Sequence, residues 1–149
     1  YGSGIEVAAS KLDKREVEWL LNLPETRDLQ IDGRSVSICH GAPWNPDEYI
    51  YPDASDVTWN RLFSCSKDLL LYGHTHYPVI KTKNNRLVIN PGAVGQPRDR
   101  KPGACWALWD TGTHRVSLKR TAYDSSRLFA MCERRDPELH YLREVLVRT

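Results

Sequence analysis

Leu69-Leu70-Leu71-Tyr72-Gly73-His74-Thr75-His76 is an apolar run that opens into Gly-His-Thr-His. The run is short and closed by a glycine, so it reads as a buried strand. Its histidines then stand where the strand leaves the sheet. In open α/β sheets, ligands collect beyond the carboxyl ends of strands. Two imidazoles one residue apart on a tight loop can face one point or two neighbouring points. Neutral imidazole is the commonest metal-binding side chain.

Two more stretches share this design. Val36-Ser37-Ile38-Cys39-His40-Gly41-Ala42-Pro43 is an apolar strand that ends in a histidine and a glycine. Leu87-Val88-Ile89-Asn90-Pro91-Gly92-Ala93-Val94-Gly95-Gln96-Pro97-Arg98 is a strand that ends in a Gly/Pro-rich loop. Three of the five histidines in the chain lie at the first two of these three strand ends.

His40-Gly41, Gly73-His74-Thr75-His76 and Asn90-Pro91-Gly92-Ala93-Val94-Gly95 together resemble the last motifs of the calcineurin-like metallophosphoesterases. The small bacterial and archaeal phosphodiesterase branch is the best match, with Ala42 and Ala93 where that branch commonly has serine. The resemblance runs from about the start of the chain to near its end. The family's earlier motifs, Asp-x-His, Gly-Asp-x-x-[DN] and Gly-Asn-His-[DE], do not occur here. Tyr1-Gly2-Ser3-Gly4 looks like the residues that directly follow the last of them. The resemblance therefore implies that residues 1–149 are the C-terminal portion of a single metallophosphoesterase domain, with the N-terminal portion absent.

Composition agrees with a globular domain or part of one. The chain has 149 residues, 40% hydrophobic and 27% charged, and a net charge of +2. That charge is too small to argue for nucleic acid by itself. No run approaches the roughly 20 apolar residues of a membrane span. Cys39, Cys65, Cys105 and Cys132 form no CxxC pair and no disulfide framework, so reduced cysteines and a cytoplasmic setting are expected.

In chain order, apolar spacing predicts a helix over residues 5–23, stopped by Pro24. Asp32-Gly33 joins strands 27–31 and 35–39. The loop 44–52 is rich in aromatics, which would either stack on a nucleobase or aryl group or cover the site. Its Asp47 and Glu48 are expected to face solvent. A helix over 53–64 buries Trp59, Leu62 and Phe63. Hairpins follow at 79–90 and 104–122, then a short helix from Ser125 or Ser126 to about Glu133. Asp136-Pro137 reads as the start of a last helix, Asp as N-cap. So many hairpins mean a mixed sheet, and the fold class is α/β or α+β. The resemblance implies part of a four-layer α/β/β/α sandwich.

The resemblance also implies a site. It places His40 and His74 on one divalent ion and His76 on a second. Manganese is the first choice, with nickel, iron or zinc also suited to imidazole and carboxylate. Two such ions about 3.5–4 Å apart clamp phosphoryl oxygens and make a bound water acidic, so the implied reaction is phosphoester hydrolysis by dimetal-bound hydroxide. Asn90, Gly92 and Arg98 are candidate substrate contacts; Arg100 and Lys101 either join Arg98 in holding the phosphate or lie in a solvated loop. A leaving-group histidine, the carboxylate ligands and an asparagine would lie in the absent N-terminal portion, so the 149 residues alone should be inactive. The expected partners are the phosphoester and that portion, with self-association open and no membrane. His114 and His140 read as exposed and inert. Two rivals remain: a mononuclear three-His zinc hydrolase, and a non-catalytic binding or scaffold subunit that keeps the fold.

Overall fold

The computed structural model describes residues 2–147; Tyr1 of the opening segment lies outside them. The Leu69–Leu71 run is the middle strand of the main sheet. We number the elements α1 (Gly4–Lys11), α2 (Lys14–Leu21), β1 (Thr26–Ile31), β2 (Arg34–Cys39), α3 (Asp56–Cys65), β3 (Leu69–Leu71), β4 (Pro78–Lys83), β5 (Arg86–Pro91), β6 (Ala104–Asp110), β7 (Arg115–Thr121), α4 (Ser126–Arg135) and α5 (His140–Val147). The five-stranded sheet runs β1-β2-β3-β5-β4, and β6-β7 form a two-stranded sheet. β3 is parallel to β2 and β5, while β1 and β4 are antiparallel to their neighbours. The mixed α/β architecture agrees with the sequence expectation.

Alternation along the central strands sets the layers. Leu70, Val88, Cys39 and Tyr72 face α3, where they pack with Trp59, Leu62 and Phe63. Val36, Leu69, Leu87 and Ile89 face the other way and pack against Ala107, Trp109 and Val116 of β6 and β7. The register Val36↔Leu69↔Leu87 keeps one apolar row on each side. A slip of one residue would move every one of these side chains to the opposite face. Each fully buried leucine contributes about 1.5–3 kcal/mol, so this register is strongly specified.

Two tight turns follow sequence rules. Asp32 (φ 49°) and Gly33 (φ 76°) close β1–β2, and Asn84 (φ 48°) and Asn85 (φ 60°) close β4–β5. Both central residues are left-handed, the geometry that matches strand twist in two-residue hairpins.

Four expectations are corrected. The helix over 5–23 is two helices, because Leu12 is extended and Asp13 starts α2 with a capping box. Asp13 accepts from the Arg15 and Glu16 amides, and Glu16 accepts from the Asp13 amide. The helix after the aromatic loop starts at Asp56, capped by Ser55, and not at Asp53. Asp136 does not cap the last helix. It closes α4, and its carboxylate accepts from the amide and hydroxyl of Ser3 at 2.8 and 2.9 Å. The last helix accordingly starts at His140. His114 is not inert: its Nδ1 accepts from the Trp109 indole at 3.2 Å and its Nε2 meets the Asn85 carbonyl at 3.1 Å. It ties the β6–β7 turn to the β4–β5 turn. His140 is exposed as expected, beside Arg143.

All four cysteines are unpaired. No helix among the described residues is long and apolar enough to cross a membrane. Among the described residues, no residue of α2 is fully buried, and Trp19 and Leu21 are largely exposed.

Candidate metal centre

β2, β3 and β5 are parallel neighbours, so their carboxyl ends reach the same edge of the sheet. That edge collects His40, the Gly73–His76 loop and Asn90-Pro91-Gly92. The loop is locked onto both neighbours. The Gly73 amide donates to the His40 carbonyl at 2.7 Å, and the Tyr72 amide donates to Ile89 at 2.9 Å. The Thr75 amide returns to the Gly73 carbonyl at 2.7 Å. This is a three-residue turn with His74 at its centre, and His74 has φ 64°. Positive-φ turns of this kind are rare and strained for a residue with a β-carbon. His76 is also left-handed, at φ 58°.

The turn sets the imidazoles. His74 Nδ1 lies 2.9 Å from His40 Nε2, with ring centroids 4.7 Å apart and planes at 71°. His74 Nε2 is buried and has no hydrogen-bond partner. His76 Nδ1 donates to the Gln96 carbonyl at 3.0 Å. A carbonyl only accepts, so in the neutral ring the proton sits on Nδ1 and Nε2 keeps its lone pair. Burial lowers the pKa of His76, and the charges of Arg98, His40 and His74 lower it further, against the opposing pull of the Gln96 carbonyl. A neutral imidazole with a fixed tautomer is the form that ligates a cation.

These donors fit a divalent ion in chemistry, and the orphaned His74 nitrogen is the observation that says so. They do not make a complete site. Among the described residues, no three His, Cys, Asp or Glu side chains form a group that could hold a metal ion. His40 and His74 are brought together, and His76 does not join them as a third member of one cluster.

Asn90 and Gly92 lie directly beneath the histidine loop. Asn90 is 0% exposed. Its amide donates to the Gly73 carbonyl at 2.7 Å and to Thr75 Oγ1 at 3.0 Å. Its carbonyl accepts from the Gly92 amide at 2.9 Å. The pair is committed to bracing the histidine loop. Arg98 sits at the rim, where its amide donates to the His76 carbonyl at 3.3 Å and its guanidinium to Tyr141 Oη at 2.9 Å. Arg100 and Lys101 are exposed.

The sequence reading missed three parts of this edge. Thr75, between the two histidines, is buried and takes the Asn90 amide. Glu48 is half-buried and accepts from the Trp44 indole, unlike the exposed Asp47. Tyr49 packs its ring on His74, with centroids 4.0 Å apart. Cys39, next to His40, is a buried thiol whose pKa is pushed up to about 11, chiefly by burial, as suits a small hydrophobic residue.

Residues 9–114 match the family model described as the calcineurin-like phosphoesterase superfamily domain. The uncharacterized protein MJ0912 of Methanocaldococcus jannaschii is 29% identical over 147 residues, covering 87% of this chain and 58% of that protein. The probable metallophosphoesterase MJ0623 of the same organism is 32% identical over 79 residues, covering 52% of this chain and 38% of that protein. A metallophosphoesterase from Sphaerobacter thermophilus has a similar crystal structure, with TM-score 0.76 and 28% identity, over 95% of this chain and 65% of that one. The fold is likewise similar to hypothetical protein PH1004 of Pyrococcus horikoshii, with TM-score 0.77 and 24% identity, over 93% of this chain and 56% of that one. The chain thus spans 38% to 58% of the curated relatives it matches. With its mixed sheet, its histidine-bearing strand ends and the family match over residues 9–114, the chain belongs to the calcineurin-like phosphoesterase superfamily.

Proposed function

We propose that this chain forms the imidazole side of a metal-dependent phosphodiesterase centre, with His40 and His74 on one divalent ion and His76 on a second. The observation that carries this is the His40–His74 pair, N to N at 2.9 Å, with His74 Nε2 buried and unpartnered. An unsatisfied buried polar atom costs about 1–3 kcal/mol, a cost removed when a cation meets it. When bound, divalent ions neutralise phosphoryl oxygens and acidify a water. The chain's own residues prepare the ligands. Gln96 fixes the His76 tautomer, burial keeps that ring neutral, and Asn90 holds the loop that aims His74. Arg98, supported on Tyr141, supplies a cation for the substrate phosphate. Manganese suits this donor set, and nickel, iron or zinc would compete for it.

The carboxylate ligands, on this proposal, come from polypeptide joined upstream of these residues. Support comes from ligand chemistry: neutral nitrogens alone leave two dications unbalanced, and no Asp or Glu completes a metal-holding group among the described residues. The test is hydrolysis of bis(p-nitrophenyl) phosphate with manganese. Turnover is expected from a polypeptide extended upstream to carry Asp-x-His and Gly-Asn-His-[DE]. It should be lost in His74→Ala and His76→Ala and absent from the 149-residue chain alone. Full-rate, metal-dependent turnover by the 149 residues would overturn the half-site. No metal-dependent turnover by the extended polypeptide would overturn the phosphoesterase reading itself.

A further inference from the structure

The loop between β2 and α3 presents two tyrosine rings beside the histidine pair. Ile50 is 1% exposed and anchors the loop in the α3-side core, while its neighbours Tyr49 and Tyr51 are 56% and 37% exposed. Their ring centroids are 6.0 Å apart and their planes differ by only 18°. Tyr49 also lies against His74, with centroids 4.0 Å apart and planes tilted by 50°, and Tyr77 meets Tyr51 edge-on at 5.6 Å.

The loop that carries them is tied down by hydrogen bonds and a cation–π contact. Ala42 and Asn45 exchange both backbone hydrogen bonds, at 2.9 and 3.1 Å, and the Ala54 amide returns to the Tyr51 carbonyl at 3.0 Å. The Arg61 guanidinium lies 3.8 Å from the centre of the Trp44 ring. Slack in this loop does not explain the exposure of the tyrosines. Burying a large side chain stabilises by roughly 1.5–3 kcal/mol, and the fixed backbone forgoes that gain for two adjacent rings. Single exposed aromatics are ordinary. A near-parallel pair that runs up to a candidate ligand is not a scattered exposure.

Aromatic faces stack nucleobases without regard to base identity. A ribose separates base from phosphate by a few ångströms. A nucleotide with its base on the tyrosines therefore leaves its phosphate at the histidines. We infer that Tyr49 and Tyr51 form a stacking ledge for a nucleobase, which makes nucleoside phosphoesters the substrate class of this centre. The inference takes the phosphate end from the phosphoesterase reading above, while the ledge itself is tested through the base.

The test is calorimetric titration of the upstream-extended polypeptide, with manganese present, by adenosine 5′-phosphate, ribose 5-phosphate and inorganic phosphate. Adenosine 5′-phosphate should bind at least about fivefold more tightly than ribose 5-phosphate, the factor that one base stacked on a ring supplies. The paired substitution Tyr49→Leu/Tyr51→Leu should erase that ratio, and Tyr49→Phe/Tyr51→Phe should keep it. Both side chains are exposed, so neither replacement opens the core. Equal affinity for the two sugar phosphates, or a ratio unchanged in the leucine variant, would overturn the ledge. So would failure of adenosine 5′-phosphate to bind. In each case, binding of inorganic phosphate would leave the phosphoesterase reading standing. Conversely, a base-dependent ratio without turnover of bis(p-nitrophenyl) phosphate by the extended polypeptide would support the ledge and remove only the reaction.

Discussion

Replacing Asn90 should loosen the histidine loop by an amount that can be worked out from its bonds. Asn90→Ala deletes three hydrogen bonds, to the Gly73 carbonyl, Thr75 Oγ1 and the Gly92 amide. Each is worth about 1 kcal/mol net when its partner is not stranded. Two partners keep another bond: Gly73 still accepts from Thr75, and Thr75 Oγ1 still accepts from the Tyr77 amide. Only the Gly92 amide is left alone. With the stranded amide costing about 1–3 kcal/mol, the expected loss is therefore about 3–5 kcal/mol, a fall in Tm of roughly 6–20 °C for a chain of this length. Asn90→Asp separates hydrogen bonding from simple side-chain loss. The carboxylate keeps the Gly92 contact but turns an oxygen towards the Gly73 carbonyl, where the donor now sits at 2.7 Å. Only the protonated acid can donate there, so burial and this contact raise its pKa in the folded state. Its stabilising contribution is then present at low pH and lost as pH rises. Urea unfolding at pH 5 and pH 7 should show Asp gaining on Ala towards acid. An alanine variant within about 0.5 kcal/mol of wild type, or an aspartate variant that tracks alanine at both pH values, would refute the bracing role.

Three further outcomes are expected. Exposed Cys65 should be alkylated first, while Cys39, with its pKa near 11, has on the order of one thiolate in a thousand at pH 8; mass spectrometry of partly labelled protein checks the order, and denaturation should release four thiols. Stability should fall at both ends of the pH range. The lowered pKa of His76 favours the folded state less as pH drops below about 6.5, where the unfolded ring takes up a proton. The raised pKa of Cys39 removes stability as pH climbs from 9 to 11, where the unfolded thiol ionises first; His76→Gln should flatten the acid side alone in a pH series of denaturant melts. Gly41→Ala should destabilise by at least about 2 kcal/mol, because its new Cβ would lie 2.3 Å from the Pro46 carbonyl oxygen, and wild-type stability would show that the aromatic loop yields easily.

Local chemistry made much of the fold legible. An apolar run closed by a glycine marked Leu69–Leu71 as a buried strand, and Asp32-Gly33 marked the first hairpin. The errors came where a polar side chain bonded far along the chain. Asp136 has the sequence of a helix cap, yet its carboxylate is taken by Ser3, 133 residues away. His114 has the setting of an exposed turn residue, yet its ring bridges Trp109 and Asn85. Neither partnership leaves a periodic trace. The Asp13–Glu16 capping box was different: its Asp-x-x-Glu signal lies inside four residues, and a continuous apolar spacing masked it.

The candidate site divides along the same line. Which residues reach the sheet edge follows from where apolar runs stop, and His40, His74 and His76 could be read that way. How the imidazoles are held could not. Backbone preference alone would put glycine or asparagine at positions 74 and 76, where φ is 64° and 58°. Left-handed histidines at both places cost of order 1–3 kcal/mol each unless the surroundings over-determine them. Asn90 and the Gly73 amide supply that constraint from the two neighbouring strands. The glycine in Gly-His-Thr-His therefore does not absorb the strained conformation. It brings the backbone within 2.7 Å of His40, and the strain falls on the two histidines.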